Sequence, residues 1–283
     1  MNNIIIETDL GHDPDDYFAI LYLIATGKNI PALFINPGDP DQIAIARFIV
    51  DELKLKTKIY SAKKDRTKRS SGSIHHKILK KYNKPLDVES DGLGIDCIQN
   101  FENSDLFIIG PCAVISTYLS QNPNAKFGKA TMQGGFCPYK LYRPNNVLDK
   151  FENRDWNATF NLNGCRKIIN HFLDSKHITR QMVGKNICHT VYFTNEIFKS
   201  FNKPNSRAAE LFCEGTRLLG GKSKKFHDPT AAVCHLHPEI GTWYKGKTIK
   251  MDGGWTTIPD DNGDNILVDI NYNEMWKYMG SWI

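Results

Sequence analysis

The chain has 283 residues, 41% hydrophobic, 24% charged and 11% aromatic, with a formal net charge of +5. This composition is globular: it excludes disorder, collagen and coiled coil, and leaves room for one large core or two modest ones. No apolar run approaches the roughly eighteen residues of a membrane helix, and Glu7 and Asp9 interrupt any signal-peptide pattern, so the expected location is the cytoplasm.

Residues 3 to 9 form a short β-branched run ending in polar residues, as a buried parallel strand does. Asp15 to Ala25 predicts a helix with acidic residues at its positive end and Gly27 as its stop. Ile30 to Ile35 predicts a second strand, followed by a turn at 36–39 and a helical stretch from Asp41 to Leu53. The alternation continues through strand 58–60, an amphipathic helix from Ile74 to Tyr82, strand Asp105 to Ile109 and a helix to Leu119. Strands alternating with helices predict an α/β fold, Rossmann-like, with a mostly parallel sheet flanked by helices. Such folds bind ligands beyond the strand ends, so residues 9–16, 36–39, 110–113 and 132–136 are expected to share one crevice.

Beyond Gly134 and Gly135, the stretch through Pro144 to Asp155 has no period and is long enough to suggest a functional loop. Helices are expected at Leu162–Leu173 and Asn205–Leu219, a hairpin or two between Thr242 and Ile270, and a closing helix from Tyr272 to Met279. With no repeat or linker, residues 1–283 are expected to form a single domain.

The seven cysteines, Cys97, Cys112, Cys137, Cys165, Cys188, Cys213 and Cys234, contain no CxxC pair, which argues against a zinc ribbon or a disulfide framework. Residues 63 to 84 carry a net +8 and the remainder −3. The basic stretch, with Ser70, Ser71, Gly72 and Ser73 in its middle, lacks the interleaved aromatics that stack bases; it is expected to be a solvated face, and nucleic-acid binding is the weaker alternative.

Asp9, Asp13, Asp15 and Asp16 fall within eight residues, around Gly11 and Pro14, where a strand turns into a helix. Carboxylates so crowded repel one another unless a cation neutralises them or several face water. Helix capping accounts for Asp15 and Asp13 but leaves Asp9 in a costly place behind an apolar strand. An EF-hand requires glycine at the sixth loop position and glutamate at the twelfth, and Gly11 is misplaced for it. A phosphatase-type Asp-x-Asp has Glu7 where its nucleophile should stand.

The segment Thr8 to Leu21, TDLGHDPDDYFAIL, resembles the N-terminal signature of the inosine-uridine-preferring nucleoside hydrolases. His227-Asp228-Pro229, Met132-Gln133-Gly134-Gly135, Gly110-Pro111, Asp91-Gly92-Leu93-Gly94 and Asp155-Trp156-Asn157 resemble further motifs of that family, in its order. The resemblance implies the nucleoside hydrolase fold and calcium-dependent cleavage of an N-glycosidic bond in a ribonucleoside. It assigns the metal to Asp9, Asp16, Asp228 and the carbonyl of Ala113, the general base to Asp9 and leaving-group activation to His227. Asp39, Asp155 and Asn157 would meet the ribose, and homodimers or homotetramers are implied.

The sequence departs from the family pattern at three points. Two residues are inserted in the turn around His12, Asp13 and Pro14, so Asp13, Asp15 and His12 become candidates for the metal or the pocket mouth. Asp39 replaces a common Asn, and Val88 stands where many members have a base-facing His. Rival readings are hydrolysis of another N-riboside, such as nicotinamide riboside or a modified nucleoside, and a nucleoside-binding protein with little turnover.

Overall fold

The computed structural model describes residues 3–70 and 73–283; Ser71 and Gly72 of the basic stretch lie outside the described residues. The chain runs β1 (Ile4–Thr8), α1 (Asp15–Ala25), β2 (Ala32–Ile35), α2 (Pro40–Glu52), β3 (Lys58–Ser61), α3 (Ile74–Lys81), α4 (Gly94–Cys97), β4 (Asp105–Ile108), α5 (Ala113–Gln121) and β5 (Lys129–Gln133). It continues α6 (Phe160–Gly164), α7 (Asn170–Leu173), β6 (Thr179–Val183), α8 (Lys185–Cys188), β7 (Tyr192–Phe193), α9 (Asn195–Ser200) and α10 (Arg207–Leu218). β8 (Lys224–Lys225), α11 (His227–Leu236), β9 (Gly241–Lys250), β10 (Trp255–Pro259), β11 (Asp264–Ile270) and α12 (Tyr272–Gly280) complete it.

One nine-stranded sheet carries the order β10-β9-β11-β6-β5-β4-β1-β2-β3. From β11 to β3 every neighbouring pair is parallel, and β9 and β10 are joined antiparallel at one edge. The fold is therefore α/β with a mostly parallel sheet. Apolar clusters cover both faces: one gathers α1, α2, α10 and α11, the other α5 and the segment from Leu162 to Leu173. The central strands are buried on both faces, which is why β1 and β4 read as near-continuous apolar runs. α1 is buried from Asp15 through Leu23 between the sheet and its neighbours α10 and α11. Among the described residues, no helix is long and apolar enough to cross a membrane.

The chain leaves β1 toward β2 and β3, then returns to its other side with β4 and β5. This reversal opens a crevice beyond the carboxyl ends of β1 and β4, the usual ligand position in such sheets.

Several expectations need correction. The helix expected at Leu162–Leu173 is two short helices separated by turns. Gly164 lies so close to Pro111 that a Cβ would stand 2.6 Å from its ring, and Asn163 accepts from the Trp255 indole at 2.8 Å, so side-chain packing overrides the helical period there. The sequence reading passed over β6, a five-residue strand whose Arg180 and Gln181 break the apolar pattern. The irregular segment after Gly135 carries a small core of its own, in which Phe136, Tyr139 and Phe151 pack together. The basic stretch is not merely solvated: Arg66 pairs with Asp39 at 2.5 Å, Lys81 pairs with Glu214 at 2.6 Å, and Lys63, Lys68 and Arg69 line a cleft.

Candidate active site

Four buried carboxylates meet at the reversal point. β1 delivers Asp9, the first turn of α1 delivers Asp15 and Asp16, and the first turn of α11 delivers Asp228 from more than two hundred residues away. Carboxylate oxygens of Asp15, Asp16 and Asp228 lie within 4.8 Å of one another. Thr8 donates its hydroxyl to Asp16 and accepts from the Leu10 amide at 3.0 Å, fixing the turn from strand to helix. Asp15 also accepts from the His227 amide at 3.2 Å, so one carboxylate ties α1 to the start of α11. Beneath this floor, Glu7 is fully buried and accepts from the amides of Val114 and Ile115 and from the Asn36 side chain, at 2.7, 3.2 and 2.9 Å. Burial pushes Glu7 up to about 7 against these bonds, and it locks β1, β2 and α5 together.

These carboxylates and their neighbours line a cavity of about 290 Å³ with His12, Asp13, Gln133, Thr159, Phe160, Asn161, Lys185, His189 and His227. A second cleft shares Asp9, His12 and Phe160 with it and extends to Asn36, Asp39, Ser70 and Ala113. The loops expected to share one crevice are divided between these two adjoining cavities: residues 9–16 reach both, Gln133 the first, and Asn36, Asp39, Pro111 and Ala113 the second.

The structure sorts the sequence-derived candidates. Asp9, Asp13, Asp15, Asp16, His12, His227 and Asp228 reach the cavity. Asp15 belongs to the buried carboxylate group with Asp16 and Asp228, whereas Asp13 is 44% exposed at its side chain and pairs with Lys224 at 2.6 Å. Ala113 lines the second cleft, and its carbonyl accepts the Thr117 hydroxyl at 2.6 Å. Asp39 is also in that cleft, engaged by Arg66, while its amide donates to Gln42 at 3.0 Å. Asp155 lies outside both cavities and pairs with Lys140 at 2.5 Å; Asn157 is held by backbone bonds to Trp255. The nearby residues that line the first cavity are instead Thr159, Phe160 and Asn161. The Asn161 amide donates to the backbone carbonyl and side chain of Gln133, at 3.0 and 2.9 Å. His75 and His76 face Asp41, at 3.2 and 2.7 Å, rather than the carboxylate group.

His227 is neutral near pH 7, because burial and then Lys224 lower it to about 4. Its Nδ1 lies 3.6 Å from Asp15, its ring stacks on His189, and its buried Nε2 has no hydrogen-bond partner among the described residues. His12 and Phe160 stack at the mouth with centroids 5.1 Å apart.

The donor set fits a hard divalent cation: all of it is carboxylate oxygen, buried, and only partly offset by Lys224 on Asp13 and Asp15. Without a cation, burial and then the charge of Asp15 push Asp9 up to about 8, and burial with neighbouring carboxylates holds Asp16 and Asp228 well above the carboxylate range. The folded state then binds more protons than the unfolded state between the ordinary value of 3.8 and about 8, so these groups destabilise the metal-free protein progressively as pH rises through that window. A divalent cation would bind the deprotonated folded form, so the increase in Tm it gives over a chelator-treated sample should be larger at pH 8 than at pH 6. A thermal scan at both pH values checks this, and an equal or larger shift at pH 6 would contradict it.

Gly110 allows β4 to approach Asp9. A Cβ there would stand 2.4 Å from the Asp9 amide and 2.9 Å from its carboxylate. Gly110→Ala should therefore lower kcat/KM about 10²-fold by displacing Asp9, as misplacements near 1 Å do. Steady-state kinetics alongside a circular-dichroism spectrum checks it.

No protein-family model matches the sequence, and no curated protein matches it. Solved structures do. A plant nucleoside hydrolase superposes with a TM-score of 0.76 at 16% identity, covering 99% of this chain and 98% of its own. The inosine-uridine-preferring nucleoside hydrolase of Bacillus anthracis gives 0.74 at 13% identity, with 100% and 99% covered. A purine-preferring ribonucleoside hydrolase of Gardnerella vaginalis gives 0.69 at 17%, with 99% and 98% covered. The chain has the nucleoside hydrolase fold over its whole length.

Proposed function

We propose that this chain hydrolyses the N-glycosidic bond of a ribonucleoside-type substrate, with calcium at the carboxylate cluster. The observation that carries the reading is the meeting of Asp9, Asp15, Asp16, Asp228 and His227 in one cavity, from both ends of the chain, at the reversal point of the sheet. Structural neighbours described as nucleoside hydrolases, some preferring inosine and uridine and some purines, support it.

Asp9, Asp16 and Asp228, with Asp15 beside them, would hold the cation. When bound, calcium supplies six to eight oxygen positions, enough to seat a ribose diol and a water together. Asp9 is the base: it takes a proton from the water that adds to the anomeric carbon as the C–N bond opens through an oxocarbenium-like transition state. Asn161 has its amide engaged by Gln133, which leaves its carbonyl oxygen to accept a sugar hydroxyl. Neutral His227 offers a ring N–H to the departing base, and the His12–Phe160 stack supplies an apolar surface beside it.

Free base and ribose released from a panel of purine, pyrimidine and modified nucleosides, with calcium present, test the reading; release from none of them would overturn it. Elemental analysis should find one calcium per chain. Stoichiometric zinc or iron in its place would overturn the metal assignment.

A further inference from the structure

The acidic floor of the cavity faces a wall of opposite sign. Lys185 begins α8 just beyond the carboxyl end of β6, and its ammonium donates to the Ala158 carbonyl at 2.8 Å. Immediately after α8, His189 meets Lys150 Nζ at 2.7 Å through Nδ1 and stacks on His227 with centroids 4.7 Å apart. Lys225 stands beside Lys150, its ammonium 5.8 Å from the centre of the Tyr192 ring. Among the described residues, Lys150, Lys185 and Lys225 make no ion pair with a carboxylate, whereas Lys224 pairs with both Asp13 and Asp15. Of these groups Lys185 and His189 line the cavity itself, while Lys150 and Lys225 stand behind them.

The acidic floor does not neutralise this wall. Burial and then the neighbouring lysines lower both Lys150 and Lys185, and burial followed by His227 and the lysines pushes His189 down to about 2. Lysines gathered beside a cavity that Lys185 lines, and paired with no carboxylate among the described residues, are the complement of an anion. A phosphoryl group, with charge near −2 and three acceptor oxygens, matches three ammonium groups better than a single carboxylate does.

We propose that the N-riboside taken by this cavity carries a phosphoryl group on its sugar, bound by Lys185 with Lys150 and Lys225 behind it. The inference rests on the N-riboside hydrolase reading and narrows its substrate class. In the reaction, the C1′–N bond breaks, water gives its hydroxyl to C1′ and its proton to the leaving base, and the phosphate ester passes through intact to ribose phosphate.

The test compares inosine with inosine 5′-monophosphate, and uridine with uridine 5′-monophosphate, by chromatography of the released base in calcium buffer. Calorimetric titration with ribose and with ribose 5-phosphate runs in parallel. The monophosphates should exceed the nucleosides in kcat/KM by at least about tenfold, the scale of one charge-assisted hydrogen bond, and that ratio should collapse toward one in Lys185→Ala and fall in Lys150→Ala. Equal or better use of the nucleosides would overturn the proposal and leave the hydrolase reading standing, as would a monophosphate preference that survives both substitutions. Orotidine, which carries its anion on the base, used better than uridine without any gain from phosphate would reassign the wall to the leaving group. Should no substrate release base, the hydrolase reading fails and calorimetry decides: ribose 5-phosphate binding that weakens in Lys185→Ala supports the wall, and binding unchanged from that of ribose overturns it.

Discussion

Asp9→Asn should lower kcat/KM by about 10²–10⁴-fold or more, because in the proposed reaction the substitution removes both the positioned base and one charge from the residues that would hold the cation. Asp9 is 7% exposed, lies directly after β1 and shares the cavity floor with Asp15, Asp16 and Asp228. Asp13, only four residues on, is half out of the cavity and already paired with Lys224, so Asp13→Asn should cost less than about tenfold, as changes to exposed ion pairs do. The comparison separates chemistry from general damage to the turn, since both variants change one carboxylate to an isosteric amide. Relief of repulsion gives Asp9→Asn a second signature: in chelator its Tm at pH 8 should exceed that of the parent, although its activity is lost. Equal kinetic losses in the two variants would show that the inserted turn has been read in the wrong register.

How much of this was legible in the sequence depended on whether local pattern and tertiary position agreed. From β1 to α5 every expected strand and helix forms within a residue or two, because buried parallel strands and their crossover helices carry unbroken apolar patterns, and among the described residues the one α-helix not expected there is the one-turn α4 (Gly94–Cys97). Legibility fell where a strand was short and polar. β6 was passed over, and with it Lys185 and His189 at its carboxyl end, so the basic wall of the cavity could not be anticipated.

The motifs behaved unevenly for the same reason. Thr8 to Asp16 and His227-Asp228 converge because each sits where a rigid element begins or ends. Asp91 is instead a structural tie: it accepts from the Ile59 amide at 2.7 Å and from Arg47 at 3.0 Å, away from the cavity. Asp155 and Asn157 carried a plausible acid–amide spacing, but the loop before them is anchored by its own small core, and the cavity receives Thr159, Phe160 and Asn161. The Asn-Leu-Asn run at 161–163 was visible but carried no period to mark which amide turned inward.

His227→Ala should separate substrates by leaving group. A natural base such as hypoxanthine or uracil departs poorly unless a hydrogen bond or proton meets it, and a positioned donor contributes about 10²–10⁴-fold. An aryl riboside such as the 4-nitrophenyl compound departs without that help. His227 adjoins Asp228 on α11, lies 3.6 Å from Asp15 through Nδ1 and has a buried Nε2 with no hydrogen-bond partner among the described residues. With its pKa lowered to about 4, it would serve the proposed reaction above pH 5 as a neutral N–H donor, and its own protonation should leave no ionisation between pH 6 and 8 in the rate profile. His227→Ala is therefore expected to lose far more activity on inosine or uridine than on the aryl riboside. Asp228→Ala should damage both alike, since it removes a ligand from the carboxylate cluster on which either sugar depends. Equal slowing of the two substrate types by His227→Ala would make the residue a support for the start of α11 and for Asp15. The donor would then have to come from elsewhere on the cavity wall, where His12 at the mouth and His189 against the lysines are the remaining imidazoles.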